Sequence, residues 1–423
     1  MLFRGANFAN VLVILGFPVR RILMRRTLVV LLLVAGTVVG QSTCDLPSGK
    51  ELSPAQQQQF KKLLTSPDDH AAVRFAMALS YAKIGNRKHA LTNLQHALAA
   101  TPWLDPATES DFKALQSCEP FRKLVQRVEK KHPSISTGTT VVTVSQKDLI
   151  PEGLAVDLSA GTFYLSSIHH RKIVKIASDG TATDFVAEGQ SGLLSVLGIH
   201  VDPADRSIWA ASESEGSAAL FHFDAVGRTL SSVAPKDPGK HLFNDLVITP
   251  SRDVYVTDSE DGSIYRLPRD SKELVRIGLG GRLYPNGIAL SGDAKSLYVA
   301  HAFGIARVDL TSGNVSELEA SNGISLAQSD GLYYWRGNLI AIQNGFGQNR
   351  IVQLRLTPDG KAVSAGKLLE FRSASLELPT TGAIYNGWFY YIENSQIDHE
   401  EHGKLKDAEH LKPVRIARLR LGD

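Results

Sequence analysis

Two patterns of apolar positions divide the chain. Between residues 52 and 132, Ala, Leu, Gln and Lys dominate and β-branched residues are sparse. Apolar positions recur there at helical spacing, as Ala78, Leu79, Tyr81 and Ala82 and again as Ala90, Leu94, Ala97 and Leu98. Gly85 falls where one helix must stop and turn into the next. A third helix is predicted across 111–128. After residue 139 the pattern changes to short β-rich runs separated by Gly, Asp, Ser and Pro.

Those runs repeat. One element recurs at Glu152, Leu197, Asn244, Asn286, Asp330 and Thr381, each opening a run such as Glu-Gly-Leu-Ala-Val or Asn-Gly-Ile-Ala-Leu. The intervals are 45, 47, 42, 44 and 51 residues. Two more elements follow in every copy, for example Val254-Tyr-Val-Thr257 and Ser263-Ile-Tyr-Arg-Leu267. Four strands in about 45 residues is the period of a propeller blade. The expected fold is mainly β: a six-bladed β-propeller over 139–423, preceded by a small α-helical segment over 44–132. The sixth copy ends without an outer strand. Thr140-Val-Val-Thr-Val144 precedes the first copy and has no other partner, so it is expected to close the ring and cover an open edge. Residues 132–138 read as a linker.

In a propeller the first strand of each blade lines the central channel. The residues that open these strands therefore form one column at one height. Glu152, Asn244, Asn286 and Asp330 bring carboxylate and amide oxygens to it from four blades. Oxygen donors converging in a confined site suit a hard divalent cation, Ca²⁺ before Zn²⁺. Asn-Gly and Asp-Gly are also common turn pairs, and any one of these residues alone reads as a turn. The propeller region holds no Cys, which excludes a thiolate zinc site there.

Charge alters the picture only at the N-terminus. The first 40 residues carry five arginines and no acid, and without them the formal net charge passes from +3 to −2. A chain so near neutral, with no basic patch, gives no argument for nucleic acid. Arg25 and Arg26 precede an apolar run over 28–39, followed by Gly40-Gln-Ser-Thr43. This order reads residues 1–43 as a secretory signal, with Met24 as an alternative start. Periplasmic or secreted localisation follows, or membrane anchoring if the signal is uncleaved. Cys44 and Cys118, the two cysteines, are an expected disulfide or two free thiols.

The Glu-Gly at 152, Phe243-Asn-Asp245, Pro285-Asn-Gly287 and Asp330-Gly331 resemble the senescence marker protein/gluconolactonase family over about 145–421. The resemblance implies a divalent cation held by Glu152, Asn286 and Asp330, with Asn244 beside it contacting substrate. It also implies hydrolysis of a lactone, with water as nucleophile and Asp330 able to take its proton. One departure bears on substrate: the family's sugar-lactone hydrolases carry an arginine where this chain has Leu242, after His241. A more apolar lactone or related ester is therefore the expected substrate. His301 is read as a structural histidine, although it could face the channel. An insertion over 395–413, with Asp398, His399, Glu400, Glu401 and His402, is read as a solvated loop, with a lid over the channel or adventitious metal binding as the alternatives. The spacing Tyr81…Gly85…Ala90…Leu94 is similar to a tetratricopeptide repeat. One such repeat cannot bury a solenoid core by itself. The helical segment is thus expected to pack on the propeller or to bind a protein partner. The second functional reading is accordingly a non-catalytic binding or scaffold protein.

Overall fold

The computed structural model describes residues 49–422, apart from 67, 68, 322, 348 and 402. Residues 1–43, read above as a signal, and Cys44 lie outside the described residues. Cys118 is disulfide-bonded.

Among the described residues four α-helices come first: α1 (Pro54–Leu63), α2 (His70–Lys83), α3 (Arg87–Ala100) and α4 (Glu119–Lys131). Each of the first three starts on a side-chain cap. Ser53 and Gln56 form a reciprocal capping box on α1, Asp69 accepts from Ala72 N, and Asn86 accepts from His89 N. Gly85 takes a left-handed turn between α2 and α3. The predicted third helix is broken. Residues Ser110–Leu115 form a 3₁₀ turn, and α4 starts anew beyond Cys118 with Pro120 in its first turn. Proline suits that place, where no N–H is required, and not a helix interior.

Six four-stranded antiparallel blades follow. Their first strands are Leu154–Asp157, Ser195–Val201, Phe243–Ile248, Ile288–Leu290, Ser329–Trp335 and Gly382–Tyr385. Neighbouring first strands touch one another all the way round and close a ring. Thr139–Val144 pairs antiparallel with Val414–Arg420, Val144 opposite Val414, and completes the sixth blade. The segment ahead of it is no slack linker. Ile135–Ser136 adds a short strand to the outer edge of the fifth blade, opposite Phe371 and Glu370. The Glu370 carboxylate then accepts from the backbone N–H groups of both Thr137 and Gly138.

Strand direction determines what lies above the channel. In an antiparallel blade, the loop entering the first strand and the loop joining the second strand to the third share one end. The helical core includes residues from such loops of the fourth and fifth blades: Ala302, Phe303, Ala327 and Phe346, with Leu283 and Tyr284 packed against it. The Phe75 ring of α2 lies tilted 5.5 Å from that of Phe346 and edge-on 5.7 Å from that of Phe112. The helices therefore cap the end of the propeller at which the column residues stand. Polar contacts pin the cap. Asp105 is wholly buried and accepts from Arg372 Nε at 2.6 Å. Asp69 accepts from Ser325 Oγ at 2.7 Å and donates its N–H to Phe303 O. Arg350, 1% exposed, lies where the charges of both Asp69 and Asp105 act on it, and donates to Gln343 at 2.7 Å.

The insertion over 395–413 joins second to third strand in the sixth blade and so rises from the same end. It is not a solvated loop. Ile397, Leu405 and Leu411 pack with Ile150, Ile168, Leu197 and Leu242 in an apolar cluster.

Candidate functional site at the channel mouth

Irregular backbone turns the column residues inward. The first strands of the second, third and fifth blades carry register shifts between Val196 and Ile199, Phe243 and Leu246, and Ser329 and Leu332. Each shift brackets its column residue. Such bulges re-aim a side chain that a regular strand would bury against the neighbouring sheet. In the other three blades the regular strand starts just after the column residue.

The glycine after each column residue is not there for a turn. None of Gly153, Gly198, Gly287, Gly331 and Gly382 has a positive φ. A Cβ on Gly198 would stand 2.6 Å from the Asn244 carbonyl, and one on Gly331 would stand 3.0 Å from Thr380 O. Gly153, Gly198, Gly287 and Gly331 admit the backbone of the next blade, and Gly382 admits Tyr390 O of its own second strand, which lets six strands crowd round a narrow channel. The turn reading of Asn-Gly and Asp-Gly fails for that reason.

Asp330 and Asn286 meet at the mouth, and Glu152 opens the first blade's inner strand at the same end. Asp330 is buried and Asn286 half-buried. One Asp330 oxygen accepts from Asn344 Nδ2 at 2.5 Å, and that amide also holds Pro379 O at 2.8 Å. Burial raises the Asp330 pKa to about 6 against the opposing pull of the Asn344 and Asn286 amides. Asp330 Oδ1 and Asn286 Oδ1 are buried and accept no hydrogen bond among the described residues. Buried oxygens in that state cost free energy unless something is present to use them. Glu152 is 5% exposed, and its own carbonyl accepts from the hydroxyls of Thr380 and Thr381. These three residues fit a hard divalent cation: two acids and one amide, with buried oxygen donors. Thr381 is spent on backbone, accepting from Leu154 N as well, and contributes nothing to the mouth.

Asn244 lies beside them, 4% exposed. Its Nδ2 donates to Ser259 Oγ at 3.2 Å, and Ser259 donates to Pro285 O at 2.6 Å. That relay commits the amide nitrogen and ties Asn244 to the Asn286 loop. Two histidines are locked away. His241 sits between Asp258 Oδ2 at 2.6 Å and Asp237 O at 3.0 Å. His301 binds Glu317 at 2.7 Å, where Arg282 also binds.

The sequence pattern passed over three groups. Asp245 stands where the other five blades have glycine, and that departure is its signal. It is buried, with its pKa raised to about 7 chiefly by burial, and its carboxylate faces Ile288 N of the next blade. Tyr333 is half-buried near Asp245 and Asp330, and its hydroxyl accepts from Gly382 N at 2.6 Å. Tyr284 carries no marker in the sequence. In the insertion, Asp407, Glu409 and His410 bring ligand atoms within 4.8 Å of one another, but all three are exposed.

Fold and site together define a six-bladed propeller with buried oxygen donors at its channel mouth, capped by helices. Over 123 residues the chain is a homologue of a gluconolactonase from Zymomonas mobilis, 33% identical, a stretch covering 25% of this chain and 33% of that protein. The match thus spans about a third of that relative's length. No family model matches the chain. Among solved structures, a gluconolactonase of Xanthomonas campestris is similar at 17% identity, covering 67% of this chain and 89% of that one, TM-score 0.49. A PQQ-bound aldose sugar dehydrogenase of Streptomyces coelicolor is 18% identical, covering 68% and 99%, TM-score 0.49. Virginiamycin B lyase of Staphylococcus aureus is 14% identical, covering 67% and 99%, TM-score 0.48. These structural likenesses carry no argument about chemistry.

Proposed function

We propose that the protein hydrolyses a lactone or related ester, using a divalent cation held by Glu152, Asn286 and Asp330. The observation that carries this reading is the pair of buried acceptor oxygens, Asp330 Oδ1 and Asn286 Oδ1, with no hydrogen bond among the described residues. The homology to a gluconolactonase supports the reaction class. A cation at this place, Ca²⁺ before Zn²⁺, supplies Lewis-acid polarisation of a carbonyl oxygen.

The chain's own residues do the remainder. Asp330, oriented by Asn344, takes a proton from the attacking water as the water oxygen bonds to the carbonyl carbon. The ring or ester C–O bond then breaks, and the proton passes to the departing alkoxide, leaving a hydroxy acid or an acid and an alcohol. Asn244, held through Ser259, presents its amide oxygen to the substrate. The cap and the insertion exclude bulk water from this end, which strengthens each of these interactions. The apolar cluster around Leu242 favours a substrate with hydrocarbon beside its ester over a polyhydroxylated one.

Export to the periplasm or beyond the cell belongs to the same proposal. The charged-apolar-small order of residues 1–43 supports it, as does the disulfide at Cys118, since disulfides persist in oxidising compartments. Elemental analysis of purified protein, with hydrolysis of alkyl and sugar lactones measured with and without EDTA, tests the function. Stoichiometric metal and EDTA-sensitive turnover are expected. Turnover indifferent to EDTA in metal-free protein defeats the cation-dependent reading.

A further inference from the structure

A cavity outside the cation site carries a charge that nothing balances. It measures about 270 Å³ and lies between the loop joining the second and third strands of the third blade and the segment entering the fourth. Four charged side chains line it, and three of them are spent. Arg276 Nε donates to Asp261 at 2.6 Å, and Asp261 also accepts from Ser263 Oγ. Arg282 donates to Glu317 at 2.8 Å and to Leu279 O at 2.7 Å. Glu260 is the fourth. It is half-buried and makes no hydrogen bond or ion pair among the described residues. Burial pushes its pKa up, the charge of Lys240 pulls it down, and that of Asp258 pushes it up again. A cation beside Glu260 would offset both the burial and the repulsion.

Backbone supplies further acceptors. Gly280 and Gly281 line the cavity with φ 66° and 83°, a left-handed conformation that favours glycine. Their carbonyls accept no hydrogen bond among the described residues. Tyr284, itself at φ 55°, lines the cavity and packs with Leu283 against the helical core. Such a backbone persists in an aromatic residue only where packing enforces it.

One carboxylate and two backbone carbonyls suit a monovalent cation rich in N–H donors. A divalent ion asks for more carboxylates than one. A protonated primary amine carries three donors on a compact charge, one for each of these acceptors. Ser259 joins the cavity to the channel mouth. It lines the cavity, and its Oγ accepts from the Asn244 amide at 3.2 Å. The cavity is thus one side chain away from the residue that presents its amide oxygen to the substrate.

We propose that this cavity is a subsite for a protonated primary amine, with Glu260 as its counter-ion, and that the ester or lactone hydrolysed at the mouth carries that amine. The second half rests on the hydrolase reading above.

Glu260→Gln keeps the shape of the side chain and removes its charge. Two measurements on the full protein separate the halves. The first is calorimetric binding of n-butylammonium chloride, with n-butanol as the uncharged comparison. Wild type is expected to bind the ammonium and not the alcohol. Glu260→Gln is expected to bind the ammonium at least about tenfold more weakly, the loss of one charge-assisted hydrogen bond. Equal affinity in the two proteins, or no binding by wild type, overturns the subsite. The second is the ratio of kcat/KM for 5-aminopentyl acetate over hexyl acetate, two esters of the same length. The ratio should be at least about tenfold in wild type and close to one in Glu260→Gln. A wild-type ratio near one overturns the assignment of the amine to the substrate. Wild-type protein that turns over no ester or lactone overturns the hydrolase reading instead, and the butylammonium titration still decides the subsite.

Discussion

Gly287 lies against the backbone carbonyl of Asp330, so close that a Cβ on Gly287 would overlap that oxygen and stand 2.7 Å from Leu332 N. The contact joins the fourth blade to the fifth at the two residues most needed to face one another. Backbone cannot move aside as a flexible side chain can. Gly287→Ala is therefore expected to cost about 1–3 kcal/mol of stability and to weaken cation binding by separating Asn286 from Asp330. Urea unfolding and calorimetric Ca²⁺ titration measure the two effects. Wild-type values for both would mean that the blades are not packed this closely.

Asp330→Asn and Glu152→Gln test the site itself. Each removes one charge from the cluster and preserves volume. Turnover should fall by at least about a thousandfold, and Ca²⁺ affinity should fall with it. Metal-free stability should hold or rise for Asp330→Asn, because burial already penalises that carboxylate's charge. Full activity in both variants would sink the mechanism.

His241 gives a pH dependence with a defined sign. Burial disfavours its charged form, but the hydrogen bonds to Asp237 O and Asp258 outweigh burial and raise its pKa above the ordinary value. A raised histidine stabilises the fold fully below its unfolded pKa of about 6.5 and loses that contribution as pH climbs through the folded value. The melting-temperature gap between wild type and His241→Gln should be widest near pH 5.5 and should narrow by about pH 8.5. A gap independent of pH contradicts the charged pair.

Asp105 anchors the cap. Asp105→Ala leaves the Arg372 guanidinium, which is largely buried, with only the half-exposed Glu129 carboxylate 3.9 Å away. Losing one member of a buried pair costs about 3–5 kcal/mol. Urea unfolding should show that loss, together with reduced lactone turnover if the cap shapes the site. A loss below about 1 kcal/mol would place the pair among surface salt bridges.

Much of this fold is legible in the chain because it repeats. Six copies of one element yield the blade count, and the unpaired run before the first copy yields the closing strand. Repetition also brings out Glu152, Asn286 and Asp330, since a column is visible where a single residue is not. What repeats only once stays hidden. The apolar faces of α2 and α3 show that these helices are buried, but not that Phe346 and Phe303 of the propeller bury them. The break before α4 is written in Pro120, yet the apolar spacing on either side of it masks the stop. Asn-Gly and Asp-Gly look like turns because glycine has two uses, and only the neighbouring carbonyl tells close approach from handedness. Tyr284 had no signal at all, because its backbone conformation is imposed by tertiary packing.

The strand Thr139–Val144 has one further consequence. It is made before any blade, and its partner Val414–Arg420 is made only after the first five blades. The ring therefore stays an open arc until the last strand of the sixth blade is made, and the helical cap has no complete surface to dock on until Phe346 and Arg372 exist. A polypeptide halted anywhere short of residue 414 would present two unsatisfied sheet edges at once. Those edges mark such a product for quality control, and the propeller commits to its final shape only as these two strands come together.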